Sequence, residues 1–491
     1  TKSRFIGASF DHHELSMTDF LNEYKERSNM TSDNFNPCHP EQMDLARIQN
    51  YRRMLDFYNG NQWQSRCSRS EKQLSFNYAR AIIDKVTAYM MAGAHCKADA
   101  ADDSEQAKEK ALNADKALQQ VYIDNNLEQL DFDTETDCAI LGDACYKVTW
   151  DTTKKRVRVT APDVSGIYVW WLGDDTTKIW RIASCYSLSA DESTLLYGIK
   201  PAGKTAKVAE LWTDNLFELW LDGNLIEKKA NPYGFIPFVV FPNLREPKKF
   251  WGKSDIVQLA ESQCELNRAM SQLSRILELS GNPIAVLENV EQSEDIAVSP
   301  GAVWNIPEEA KAYLLDLLQG GGVNLHIEYI NLLYRTLHDL GESPRATFGS
   351  TSGNLSGVAL EIEMQPLLQK VWRKRLIRNS AYCRRNSLIL KLVSKFSGQD
   401  FGDYNLRMVW SPVLPRDMTG LVSNEQILVQ NGIHSRRTAM SQIGITSPES
   451  EFADWLEERD AILKMNSEHN SKTSAGKTRE RVSVNTAAEG F

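Results

Sequence analysis

The stretch Asp255–Leu279, DIVQLAESQCELNRAMSQLSRILEL, decides how the rest of the chain is read. Ile256, Leu259, Gln263, Leu266, Met270, Leu273 and Leu277 recur at alternating intervals of three and four, a heptad seam with one polar position. Neither Gly nor Pro interrupts it, so the spacing predicts a single helix about 38 Å long, at ~1.5 Å rise per residue. A stripe this narrow is covered by neighbouring helices, from the same chain or from another copy. Gly281-Asn282-Pro283 ends the helix.

Downstream, residues 281–322 read as a compact insert. It has strand-like pieces at Ile284–Leu287 and Ala302–Ile306, a short helix at Glu308–Leu318 and a closing Gly320-Gly321-Gly322. Glu288, Glu291, Glu294, Asp295, Glu308, Glu309 and Asp316 face one basic residue, Lys311, for a net charge of −6. A second long helix follows at Val323–Leu340, with Ile330, Leu333, Leu337 and Leu340 on one face. Two long helices around a small domain would hold it at the end of a stalk. Beyond Ser343-Pro344, Gly349–Gly357 is an uncharged loop of glycine and hydroxyl residues that cannot build a core. Val358–Phe396 then reads as one very long helix. Pro366 within it removes the bond to Ile362 and predicts a kink. Lys370, Arg373, Lys374, Arg375, Arg378, Arg384, Arg385, Lys391 and Lys395 make its second part strongly basic, against Glu361 and Glu363 near its start. Such a run ordinarily forms a solvated face or pairs with acidic neighbours.

Upstream, helices are predicted at Glu41–Phe57, Tyr78–Met91, Ala107–Asn125 and Asp131–Leu141, the last stopped by Gly142. From Ala144 the period becomes strand-like: 146–150, 157–160, 167–171, 180–186 and a hairpin of 208–212 with 216–221. This mixed region ends near Phe241. A strand at Leu406–Val413 and helices at Leu421–Gln430 and Glu451–Met465 complete the pattern, while residues 1–40 are a polar, mixed N-terminal segment and residues 466–491 read as a polar, disordered tail.

Composition narrows the function. The chain has 491 residues, 42% apolar and 25% charged, which suits globular structure over most of its length. A net charge of −9 argues against a surface that grips nucleic acid as a whole, since such binding neutralises phosphates with Lys and Arg. No apolar run approaches the ~18 residues of a membrane span, and no signal peptide is read at the N-terminus. The eight cysteines contain no CxxC pair and read as reduced, buried thiols rather than a zinc site. Asp11-His12-His13-Glu14 reads as a solvated segment, not a metal site. Gly198-Ile199-Lys200-Pro201-Ala202-Gly203-Lys204-Thr205 satisfies GxxxxGK[ST], but strand-like residues Ala206–Trp212 follow where a phosphate-cradling loop needs a helix. It reads as a turn between strands. No HExxH or GxSxG occurs, so no catalytic residue, metal or cofactor is expected.

The order of these parts resembles the portal proteins of tailed bacteriophages, in the group with a short stem and a kinked tunnel helix. The residues carrying the resemblance are Asn77-Tyr78 with Ile82-Ile83-Asp84, Gly142-Asp143-Ala144-Cys145-Tyr146, Ile236-Pro237 and Gly252-Lys253-Ser254-Asp255-Ile256. Further along come Ser280-Gly281-Asn282-Pro283, and Ser356-Gly357-Val358-Ala359-Leu360 with Gln365-Pro366-Leu367. The resemblance implies an α+β portal fold. A mixed wing would span 41–250 with the 406–413 strand, a stem of paired helices 251–280 and 323–342, and a small α/β clip 281–322. The tunnel loop would be 349–357, the long kinked tunnel helix 358–396 and the helical crown 417–465. It further implies a dodecameric ring at one capsid vertex, assembled in the host cytoplasm, through which double-stranded DNA is packaged and ejected. The implied partners are the terminase large subunit, the major capsid protein and scaffold, and a head-to-tail adaptor, with no membrane and no cofactor. On that reading Ser350, Thr351, Ser352, Asn354 and Leu355 form the DNA-tunnel loop. Lys370, Arg373 and Lys374 are the basic positions of the tunnel helix, and Glu288, Glu291, Glu294 and Asp295 dock partners at the clip. The rival reading is a packaging-associated NTPase using Lys204.

Overall fold

The computed structural model describes residues 44–63, 73–281, 284–288, 311–315, 322–349, 357–414, 418–445 and 448–465. The chain divides at Val413/Leu414 into two compact units. In the first, α1 (Leu45–Tyr58) buries Arg47, Ile48, Tyr51 and Met54. Next, α2 (Tyr78–Met91) buries Ala79, Ile82, Ile83, Val86 and Met90, the stripe its spacing predicts, and the Asn77 side chain caps it by accepting from the Arg80 amide. The strand β1 (Ala94–Ala100) leads to α3 (Glu105–Asn125), capped by Ser104, and to α4 (Leu127–Leu141), which starts four residues before the predicted helix. Gly142 ends α4 at φ 102, and a Cβ there would lie 2.8 Å from the Ser254 nitrogen, so the position demands glycine.

The chain then enters β2 (Asp143–Asp151), the middle strand of an antiparallel sheet. Its neighbours are β3 (Arg156–Thr160) and, much later, β9 (Phe238–Pro242). Between them, β4 (Ile167–Leu172), β5 (Asp175–Ser189), β6 (Thr205–Trp212), β7 (Leu216–Leu221) and β8 (Asn224–Ala230) form a five-stranded meander. A short α5 (Ala190–Tyr197), held by a Ser189/Glu192 capping box, interrupts it. Strand alternation makes β2 and β9 a partition. Ala144, Tyr146, Val148, Val239 and Phe241 face a core shared with Leu118, Leu127 and, from the long helix described below, Tyr382 and Leu390. Cys145, Phe238 and Val240 face the other way, against Ile167, Val169, Ile182, Val208 and Trp212 of the meander.

After β10 (Leu244–Arg245) and β11 (Gly252–Lys253), a small antiparallel pair, comes α6 (Ala260–Gly281). It begins five residues later than the seam predicts. Asp255 is held outside the helix because its amide donates to the Ala139 carbonyl (3.0 Å) and the Ile256 amide to Ser254 Oγ (3.1 Å). The insert contains β12 (Ile284–Glu288) paired antiparallel with β13 (Lys311–Leu315). Lys311–Leu315 is thus strand, correcting the helix expected at Glu308–Leu318. A four-residue apolar run has no periodicity to separate the two, and pairing with β12 decides. The expected strand at Ala302–Ile306 lies outside the described residues. Then α7 (Gly322–Gly341) packs on α6. The predicted kinked helix is two helices, α8 (Gly357–Glu363) and α9 (Gln365–Ser397), divided at Met364, with Pro366 in the first turn of α9 where its missing donor costs nothing. Finally β14 (Tyr404–Trp410) pairs with β1.

The second unit holds α10 (Met418–Gln430), α11 (Arg436–Gln442), which the sequence reading omitted, and α12 (448–465). The Ser435 side chain caps α11 by accepting from the Thr438 amide, and Arg436 lies over the Trp455 ring of α12 at 4.2 Å.

Candidate functional site

The 33-residue α9 touches β1, β2, β3, β9, β14, α2, α3 and α8, so it is the spine of the first unit. Leu367, Val371, Ala381, Tyr382, Ile389, Leu390 and Leu392 bury its apolar side, but Lys370, Lys374, Arg378 and Arg385 are buried with them. The steps of four from 370 to 378 align these cations on one face. Lys370 Nζ donates to the Gly341 carbonyl (3.0 Å) and stands 3.6 Å from Asp255. Lys374 Nζ donates to the same carboxylate (2.8 Å) and lies 3.8 Å from Glu135. Arg378 makes a two-pronged bond to Glu135 (2.7 and 2.8 Å) and donates to the carbonyls of Pro242 and Asn243, both at 2.8 Å. Arg385 bonds both oxygens of Asp131 and the Tyr122 hydroxyl (2.8 Å), with the Tyr146 ring 4.6 Å away. Burial alone would raise the Asp255 carboxyl, but Lys370 and Lys374 hold it well below the usual carboxylate range. Burial pulls Lys370 down against that same attraction. The result is an alternating line of buried charges that ties α9 to α4 and to the chain just before α6.

Of the two ordinary fates of such a run, a solvated face or pairing with acidic neighbours, pairing holds for most of it. Lys370 and Lys374 are fully enclosed by this chain and present no surface to a nucleic acid. Arg373 is at the surface, paired with Glu342. Arg375 caps the end of α2, donating to the Met90 carbonyl (3.0 Å) and to Ser411 (2.9 Å). Most of the run therefore satisfies acidic side chains and carbonyls inside the chain. The missed residues are the acceptors Asp131, Glu135 and Asp255. One local signal existed: Asp131 and Glu135 are four apart on α4, on the same side as buried Thr134 and Cys138.

Other faces of the same elements stay uncovered. On α7, Leu325 (69% exposed) and Leu332 (60%) are one heptad apart. Leu340, expected on the buried face, is exposed, whereas Leu337 is fully buried. On α8 and α9, Ile362, Trp372 (62%) and Leu376 are exposed. Trp372 also lines an apolar groove of about 350 Å³ with Leu368, Val371, Arg375 and Val413. The heptad seam of α6 keeps its order: Ile256, Leu259, Gln263 and Leu266 are buried and Leu277 is exposed. Gln263 is satisfied by the Phe76 carbonyl (2.6 Å) and the Ala79 amide (3.0 Å).

Of the expected tunnel-loop residues, Ser350, Thr351, Ser352, Asn354 and Leu355 lie outside the described residues. The chain reaches that segment through Gly349 at φ 81 and leaves it at the start of α8. Glu288 is exposed and stands opposite Lys311 in the β12–β13 register. Glu291, Glu294 and Asp295 lie outside the described residues.

The GxxxxGK[ST] match is not a phosphate cradle. Gly198 caps the end of α5 at φ 68 and Thr205 opens β6, so helix precedes and strand follows, the reverse of the required order. The turn lies between helix and strand, not between two strands as expected. Among the described residues no three His, Cys, Asp or Glu side chains are grouped to hold a metal, and no helix is long and apolar enough to cross a membrane. The six described cysteines are free. Only Cys138 and Cys145 are fully buried, correcting the expectation that all would be. The Asp11–Glu14 segment lies outside the described residues.

The first unit thus has one spine helix tied by buried ion pairs to the body, two packed long helices joined through a small strand pair, and apolar side chains exposed on those helices. No curated protein matches the chain. One family model, described as phage portal protein, SPP1 Gp6-like, matches residues 41–465, from just ahead of α1 to the end of α12, and the chain belongs to that family.

Proposed function

We propose that copies of this portal protein close into a dodecameric ring at one capsid vertex, where it serves as the channel for packaging and ejecting double-stranded DNA. The observation that carries this reading is the family match over residues 41–465. The open apolar faces of α7, α8 and α9 support it, because contiguous exposed apolar surface marks an interaction site. In this assignment α6 and α7 are the stem, residues 281–322 the clip, 349–357 the tunnel loop, α8 and α9 the tunnel helix, and α10 to α12 the crown. The remaining layers form the wing. The clip meets the terminase large subunit during packaging and a head-to-tail adaptor afterwards, and the outer body meets the major capsid protein and scaffold.

A conduit must let a polyanion slide, so contacts along it have to be weak and exchangeable. The uncharged tunnel loop suits this, and the enclosure of Lys370 and Lys374 removes two cations that would bind phosphate and stall it. Around a ring, the clip's −6 makes an acidic collar suited to basic partner surfaces. A Ser352→Glu, Asn354→Glu double variant should form normal rings but package DNA at least tenfold less efficiently in a defined packaging assay. Undiminished packaging by such rings would remove the loop from the DNA path. ATP hydrolysis by the purified protein, lost in Lys204→Ala, would instead support the NTPase reading.

A further inference from the structure

Two cysteines far apart in the sequence meet where β1 and β14 pack on α9. In the β1–β14 register, Ala94, Cys96, Ala98 and Ala100 stand opposite Trp410, Met408, Leu406 and Tyr404, and residues directly opposite share a face. Ala98, Leu406, Met408 and Trp410 belong to the core that contains Ala381, Tyr382 and Ile389 of α9. Cys96, on that face, is therefore turned toward the helix. From the other side, the Cys383 thiol on α9 donates to the Leu406 carbonyl (3.4 Å), one pleat from the residue paired with Cys96. The register and the Leu406 contact bring the two thiols to the same side of β14, and neither is in a disulfide. Both are half-buried, within reach of a small reagent, unlike the enclosed Cys138 and Cys145.

We infer that Cys96 and Cys383 form an oxidisable dithiol, at which a low-molecular-weight disulfide reversibly ties β1 to α9. The neighbouring Cys96 thiol lowers the Cys383 thiol below the ordinary range while Cys96 is raised, which makes Cys383 the attacking member of the pair. The Cys383 thiolate attacks one sulfur of the small disulfide. The S–S bond breaks, one small thiolate leaves and a mixed disulfide forms on Cys383. Cys96 gives its proton to solvent and attacks the Cys383 sulfur, expelling the second small thiolate. Two protein thiols are oxidised, one small disulfide is reduced to two small thiols, and the two protons end on those thiols. A virion component moves from the reducing interior of a cell to an oxidising medium, and the pair would be open in the first and closed in the second.

The test treats the purified full-length protein with excess oxidised glutathione, removes the reagent, unfolds the protein, alkylates the remaining thiols and maps peptides without reduction. The expected product is the Cys96 peptide joined to the Cys383 peptide, with alkylatable thiols falling by two from eight and restored by dithiothreitol. Oxidation should raise the melting temperature of the wild type and leave that of Cys96→Ser unchanged, Cys96→Ser stopping at a glutathione adduct on Cys383. Full alkylation of both cysteines after oxidation, or pairing of either with a different cysteine, would overturn the inference. So would an unshifted melting temperature in protein shown to carry the link. If Cys96→Ser does not fold, the wild-type peptide map and melting shift decide alone.

Discussion

Arg378 shows what a single buried charge does in this molecule. Its guanidinium makes every bond it can inside the protein, to Glu135, to two carbonyls and to the Asn243 side chain (3.0 Å). Removing it strands Glu135 in a dry interior. Arg378→Ala should therefore cost about 3–5 kcal/mol, read as a lower urea midpoint. Arg378→Lys should recover only part of that loss, because an ammonium cannot reproduce the planar fork. Equal stability of wild type and Arg378→Ala would show that the charge line does not hold α9. Asp143 gives a second prediction, with a sign. Burial pushes its carboxyl up to about 6, against the bonds it accepts from the Gly252 amide and the Tyr51 hydroxyl, both at 2.7 Å. The folded state thus holds a proton that the unfolded carboxyl releases near 3.8. This contribution favours folding below about pH 4 and is lost as pH rises through 6, by about 3 kcal/mol at ~1.4 kcal/mol per unit. Asp143→Asn should flatten the stability profile over that interval relative to wild type; parallel profiles would contradict the assignment. The i, i+4 spacing of Asp131 and Glu135 on α4 was the one local hint of these acidic partners, and it did not say which cations they meet. A run of nine cations shows charge but not direction, and Asp131, Glu135 and Asp255 come from distant parts of the chain.

The long elements were legible because periodicity survives over many turns. The buried stripe of α2 and the break at Pro366 stand where the spacing put them, and Gln263 and Leu266 of the α6 seam are buried as it requires. Errors gathered where a local pattern was short or a tertiary bond overrode it. At 311–315 pairing with β12 made strand of a run expected as helix, and at Asp255 bonds to Ala139 and Lys374 delayed the start of α6. The open face of α7 carries a prediction of its own. Leu325 and Leu332 are exposed in the single subunit, and on the proposed ring they would supply surface to a neighbour. Leu325→Glu with Leu332→Glu should leave the circular dichroism spectrum and melting temperature of the subunit unchanged and weaken self-association at least tenfold in sedimentation velocity. Unweakened association would place the subunit interface elsewhere.

At the scale of the molecule, the first unit is a mixed α+β body in which β2, between the helices and the five-stranded meander, divides two cores, and the second unit is helical. The −9 net charge first argued against gripping nucleic acid, and the structure sharpens the point by enclosing Lys370, Lys374, Arg378 and Arg385 of the basic run. The portal family was legible in the order of the sequence motifs; the exposed apolar positions of α7 and α9 were not, because periodicity does not say which face of a helix its own chain covers. The central claim is that this chain works as a closed ring. Rotational averaging of negative-stain images of the purified full-length protein, with mass photometry on the same sample, tests it most directly. The account predicts twelvefold rings with a central hole and a mass twelve times 55.6 kDa. A single species of 55.6 kDa at every concentration, with no ring in the images, would contradict it.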